Sequence, residues 1–295
     1  MSYFLQQLVN GIALGSVYAL LALGVTLVWG VLNVLNFAHG QLVTWGAFGS
    51  GAALLNGIPV VPAILIGMLV AALLAVAMER IVLGPLQRRA PGDEFAPVVA
   101  TIGIALLLQT LVKVITDSEL RRFPAAGFPS GTIDVAGVGL PKLQLVVLAT
   151  TLVVMVALGL WLTRTRLGRE LRAVAYSREV AELLGINSRM VFAVAFAISG
   201  ALAALAGTFV VAQTRLVSFS TGDALLTLTF AAVVVGGMGS VTGAVVGGLV
   251  LGIGQVLISA YTSSSFDDAF PYLLMALVLL IRPTGLFRQQ AVARA

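Results

Sequence analysis

The chain has no cysteine and a single histidine, His39. Disulfides, thiolate metal sites and multi-histidine metal sites are therefore excluded, and no metal ligand is assigned. Charge is nearly as scarce. Only 10% of the 295 residues are charged, against about a quarter in a soluble domain, and residues 1–78 carry no charged side chain at all. No arginine or lysine lies in residues 1–20, so the n-region of a cleavable signal peptide is missing and the first apolar segment is expected to be retained. There is no GxxxxGK[ST] phosphate loop, so the chain does not bind ATP in that manner. A serine nucleophile needs an adjacent base; His39 is the one histidine and no GxSG accompanies it. No catalytic residue and no cofactor are assigned.

What fills the sequence instead is apolar: 59% of residues are hydrophobic. The chain is expected to be an all-α polytopic membrane protein, a single domain over residues 1–295. Phe4–Gly30 is a long apolar run with Gly11 and Gly15 at GxxxG spacing, which admits a close neighbour. Further runs are Leu42–Leu55, Val60–Met78, Phe95–Val112, Leu143–Thr163, Met190–Thr214 and Phe270–Ile281. Residues 224–266 are uncharged and too long for one crossing, and GGMGSVTGAVVGG interrupts them. That reads as two helices joined by a tight turn at Gly236–Ser240. The total is eight or nine crossings, because Val31–Leu55 either crosses fully or dips in and returns, and the side of the N-terminus stays open.

Charge sets the topology of the remainder. With residues 79–94, 164–189 and the tail from Arg282 on one side, that side holds 12 of the 17 basic and 6 of the 12 acidic residues, and the other holds 5 and 6. Net charges of +6 and −1 place the first set, with the C-terminus, in the cytoplasm. The net charge of +5 is thus a matter of topology and not of nucleic-acid binding. Among the cytoplasmic segments, 164–189 holds six arginines and three glutamates. Ser177 can cap a helix with Glu179 in its first turn, Gly185 can end it, and Val180, Leu183 and Leu184 share a side. An apolar stripe on a solvated helix calls for a docking partner; the alternative is a basic loop that only fixes topology.

Two more features stand out. Asn33, Asn36, His39 and Gln41 place polar groups in an apolar region, where they face protein or a water-filled path. They either form a discontinuous helix presenting polar groups to a solute, or make interhelical hydrogen bonds or mark a cytoplasmic turn. Gln109, Thr110, Gln213 and Gln255 are further polar residues in or beside spans, with nothing to select among them. Gly236, Gly237, Gly239, Ser240 and Gly243 form either a close-packed turn or a hinge or gate. Every acidic residue falls in a loop or at a span edge, which leaves a proton relay without members. Sodium coupling or a passive pore stays open, beside a pore driven by a separate motor.

NVLNFAHGQ, RTRLGRELRAVAYSREVAELLGI and GGMGSVTGAVVGG together resemble the polar segment, coupling loop and glycine-rich turn of bacterial branched-chain amino acid importer permeases, in order and spacing across nearly the whole chain. The resemblance is closest to the shorter, LivH-type permease. It implies a type II-like permease bundle in the bacterial inner membrane, a second permease subunit, two ATP-binding subunits and a periplasmic binding protein. It implies that Ser177, Glu179, Glu182, Leu183, Leu184 and Gly185 meet an ATPase, although Ser177-Arg178 stands where the family carries an acidic residue. Related permeases carry urea, short amides or aromatic acids.

Overall fold

The computed structural model describes residues 2–89, 93, 95–117, 119–124, 127–135, 138–262, 266–267 and 269–287. Pro91, Glu94 and Asp268 of the expected loops, and the end of the basic tail (288–295), lie outside the described residues. The expected apolar runs are helices. They are α1 (Ser2–Leu32), α2 (His39–Leu55), α3 (Val60–Met78), α5 (Phe95–Thr116), α6 (Lys142–Arg164), α9 (Ser188–Thr214), α10 (Thr221–Gly236), α11 (Val241–Tyr261) and α12 (Phe270–Ile281). Six are long and apolar enough to cross a bilayer: α1, α3 with its continuation, α5, α6, α9 and α11. At ~1.5 Å per residue α2, α10 and α12 fall short of a ~30 Å hydrocarbon core. The protein is thus an all-α polytopic bundle, in which some of the expected crossings are helices of partial length.

Three local features differ from the sequence reading. The loop expected at 79–94 continues as helix, through a π-helical turn (Glu79–Leu83) and α4 (Gly84–Arg89). The arginine-rich segment 164–189 carries two helices, α7 (Arg166–Tyr176) before α8 (Arg178–Leu183). The segment between α5 and α6, outside every apolar run, contains short strands: β1 (Arg121–Arg122), and β2 (Thr132–Val135) paired antiparallel with β3 (Val138–Pro141). β1 pairs with β4 (Leu216–Val217), which follows α9. Each pairing satisfies backbone groups that a helix would have bonded internally.

The chain forms two compact units. In one, the first part of α1 lies against α11. A Cβ on Gly11 would fall 2.7 Å from the Ile253 Cα and one on Gly15 2.8 Å from the Leu249 Cα, so the GxxxG neighbour is α11. Tyr3 and Tyr261 meet edge to face at 5.8 Å, and the Gln6 amide donates to the Gly139 carbonyl at 2.7 Å. The start of α1 therefore shares an end with the close of α11 and the β2–β3 hairpin.

In the other unit α2, α3 and α9 pack as a trio. The backbones meet through small residues: a Cβ on Gly200 would lie 2.5 Å from the Ala71 carbonyl oxygen, and one on Gly207 2.8 Å from that of Val43. Lipid tails are as apolar as leucine, so close van der Waals packing holds such helices together where hydrophobic exclusion cannot. The outward faces of α3 and α5 (Val61, Leu65, Leu69 and Leu73; Val99, Leu106 and Val114) are exposed leucine and valine, as a lipid-facing surface requires.

Candidate functional site

The basic segment 164–189 folds as a pair of capped helices. Thr165 caps α7 by accepting from the Gly168 N–H at 3.1 Å, and α7 buries Gly168, Leu171 and Val174 on one face. Ser177 ends α7 and starts α8, its hydroxyl accepting from the Val180 N–H at 3.3 Å. Gly185, at φ +81°, closes α8. The Ile186 N–H reaches the Ala181 carbonyl and the Gly185 N–H that of Glu182, each at 3.0 Å. This is a Schellman ending, which a residue with a side chain would strain. Both expected caps are thus present.

Held this way, α8 buries only Ala181. Tyr176, Val180, Leu183 and Leu184 stand exposed, the two leucines at 86% and 74%. The two glutamates differ. Glu179 is exposed, whereas Glu182 accepts from Arg178 at 3.0 Å and from the Ser188 hydroxyl. Those hydrogen bonds, Ser188 first and then Arg178, hold the Glu182 carboxyl below its ordinary range. Arg178 also lies over the Phe192 ring at 5.2 Å. Glu182 therefore fastens α8 to α9 from within the chain, and Glu179 is the carboxylate left facing outward.

The polar break is real, and it divides the four residues. α1 stops at Leu32, Asn33 takes a left-handed φ of 52°, and α2 resumes at His39. Asn33 is exposed. Asn36 is buried, and its side-chain oxygen accepts from the Ala38 N–H at 3.0 Å, shaping the turn. His39 Nδ1 and the Ser199 hydroxyl are 3.3 Å apart. Gln41 reaches elsewhere: its Nε2 donates to Asp223 Oδ1 at 2.7 Å, while the Gln109 amide donates to Asp223 Oδ2. The Gly222 N–H donates to the Thr44 hydroxyl at 3.0 Å.

The break thus meets a second discontinuity, since α9 ends at Thr214 and α10 begins at Thr221 after a short strand. From Ser188 to Ser199 α9 rises ~17 Å, and from Phe95 to Gln109 α5 rises ~21 Å. The junction therefore lies well inside the length of both spanning helices. Two partial helices with their N-termini together at such depth form the arrangement in which transport proteins present polar backbone to a solute. Asp223 was placed by the sequence at the end of a loop, and Gln109 was one of several unselected polar residues. The structure brings both to Gln41. Glu79 is buried and Asp223 half-buried, so two carboxylates assigned to edges and loops sit among packed helices. Of the other polar residues, Gln255 accepts from the Tyr18 hydroxyl at 2.8 Å, while Thr110 and Gln213 bond the carbonyls of Leu106 and Phe209 on their own helices.

The glycine turn is sharp and strapped. Gly237 and Gly239 have φ of +106° and +83°, and the Ser240 hydroxyl caps α11 by accepting from the Gly243 N–H at 3.0 Å. Gly236 and Gly243 lie against each other's carbonyls. The Leu286 and Phe287 N–H groups bond the carbonyls of Val235 and Gly236 at 2.9 and 3.0 Å.

A multi-pass helical bundle with two partial helices meeting within its spans, and with leucines exposed on a short helix outside them, has the architecture of a membrane transport permease. The family model for "branched-chain amino acid transport system / permease component" matches residues 7–279, and the chain belongs to that family. It is 33% identical over 304 residues to the high-affinity branched-chain amino acid transport system permease protein BraD of Pseudomonas aeruginosa, covering 99% of this chain and 98% of the relative. It is 34% identical over 304 residues to LivH of Escherichia coli K12, with the same coverage. An archaeal relative, the probable branched-chain amino acid permease LivH of Methanocaldococcus jannaschii, is 29% identical over 94% of this chain and 90% of its own length. The chain is the pore-forming component of an ABC importer, and not an enzyme.

Proposed function

We propose that this subunit moves branched-chain or closely related small amino acids inward across the bacterial inner membrane. It works as one permease domain beside a second permease subunit, above two ATP-binding subunits and below a periplasmic binding protein. The C-terminus lies in the cytoplasm, and the N-terminus, at the same end as the close of α11, lies outside. The observation that carries the reading is α8: a doubly capped helix presenting Leu183 and Leu184 to water. A leucine left fully in water gives up about 1.5–3 kcal/mol relative to burial, so the pair fits a groove on an ATPase. Glu179, with Ser177, Glu182 and Gly185 shaping the helix, completes that contact.

In this reading Asn36, His39 and Gln41 border the solute path with Asp223 and Gln109, and Asn33 marks its inner end. Gly236, Gly237, Gly239, Ser240 and Gly243 act as the hinge about which α10 and α11 adjust. The test is reconstitution. Proteoliposomes carrying both permeases and both ATP-binding subunits, given binding protein and ATP, should accumulate leucine, and those without the ATP-binding subunits should not. Accumulation under a proton or sodium gradient by this chain alone would contradict the reading. Uptake of urea or short amides in place of leucine would reassign the solute.

A further inference from the structure

Beside α8 lies a cavity of about 430 Å³ with a markedly basic wall. Arg88 reaches it from α4, Arg178 and Glu182 from α8, and Gly185–Arg189 form the connection into α9. The one carboxylate there is already occupied, since Glu182 accepts from Arg178 and Ser188. Arg88 and Arg189 are exposed and form no ion pair among the described residues, although the charge of Arg88 also reaches the buried Glu79. The wall therefore sets three guanidinium groups against one carboxylate, Glu182, which also feels the charge of Arg189. α9 adds to them: Asn187 caps its Met190 N–H, and the remaining first-turn N–H groups form the positive end of a 27-residue helix.

We propose that this cavity binds a phosphate-bearing anion. Guanidinium groups match phosphate oxygens in pairs, and the volume falls within the range of small-ligand sites. Arg88 and Arg189 stand at the charged ends of the spans formed by α3 with α4 and by α9, the level at which headgroups of anionic phospholipids lie. A soluble phosphate has the same chemistry and reaches the same opening. Because the turn that ends α8 is part of the wall, a bound anion would clamp α8 to α4 and α9. The set of the coupling helix would then depend on anion occupancy.

The test uses the intact permease–ATPase complex in phosphatidylcholine nanodiscs. One arm adds phosphatidylglycerol and counts retained molecules by native mass spectrometry; the other adds inorganic pyrophosphate and measures binding by calorimetry. Wild type should bind at least one probe, R88Q/R189Q should bind it at least about tenfold more weakly, and R88K/R189K should recover part of the loss. R121Q/R122Q, on β1, should match wild type. Sensitivity to phosphatidylglycerol alone identifies a lipid headgroup, and sensitivity to pyrophosphate a soluble anion. Equal binding by wild type and R88Q/R189Q in both arms would overturn the proposal. So would loss of the ATPase from R88Q/R189Q with probe binding unchanged, because the arginines would then be a protein contact.

Discussion

Gly40 and Gly222 meet backbone to backbone. A Cβ on Gly40 would fall 2.6 Å from the Gly222 carbonyl oxygen and 3.0 Å from Leu226 Cβ, and one on Gly222 would run into the Gly40 carbonyl. The first turns of α2 and α10 can approach this closely only without side chains, and the approach brings Gln41 to Asp223. Gly40→Ala forces backbone apart and should cost ~1–3 kcal/mol, the usual range for overpacking. The thermal midpoint of the purified subunit in detergent measures this. An unchanged midpoint would mean the helices separate freely here.

Asp223 ties Gln41 and Gln109 together, and Gln41 is buried. Asp223→Ala leaves an amide donor in the interior without its acceptor, at ~1–3 kcal/mol. Asp223→Ala combined with Gln41→Ala should cost less than the two single changes added together. Additive losses in that cycle would show that the hydrogen bond carries no coupling.

Glu182 predicts a pH dependence at the α8–α9 corner. Its folded pKa is depressed below the ordinary 4.5, so its contribution is complete above that value and is lost as pH falls through the lowered one. The group is exposed, so the effect is small. Hydrogen exchange at Gly185 and Ile186, corrected for intrinsic rate, should show protection that is flat near neutrality and falls below about pH 4.5. The fall should be missing in Glu182→Gln; equal behaviour of the two proteins would remove Glu182 from the corner.

At the glycine turn a Cβ on Gly237, at φ +106°, would run into the Phe287 carbonyl. Gly237→Ala should therefore cost more than the backbone penalty of ~1–2 kcal/mol alone, read as a lower thermal midpoint of the subunit in detergent; an unchanged midpoint would mean that the turn yields freely. If the turn works as a hinge, Gly239→Ala should lower uptake while assembly persists. Normal uptake would make it a fixed corner.

Much of this was legible in sequence because it is local. Ser177 three residues before the Val180 N–H and Gly185 after Leu184 declare the ends of α8, and the runs of uncharged residues declare the spans. The Gly236–Ser240 turn is where 43 uncharged residues must reverse. Asp223 was not legible, because its role depends on Gln41 and Gln109, which are 182 and 114 residues away. The helix through Glu79–Leu83 was hidden because Glu79-Arg80 resembles the end of a span, and tertiary packing buries the glutamate instead. Pairing of β1 with β4 joins segments whose sequences carry no strand pattern. α7 was missed because its cap, Thr165, stands among arginines that look like plain topology signals.

The claim that α8 is the mechanical contact is tested most directly by changing Leu183 and Leu184 together to aspartate. Both side chains are exposed outside the spans, so the permease should fold and insert normally. Docking should lose a few kcal/mol, a hundredfold or more in affinity. The measurement is co-purification of the ATP-binding subunits together with ATP-driven leucine uptake in vesicles. The account predicts that both fall while permease abundance is unchanged; a double-aspartate variant that keeps both would contradict it, and would leave this segment as a topology signal alone.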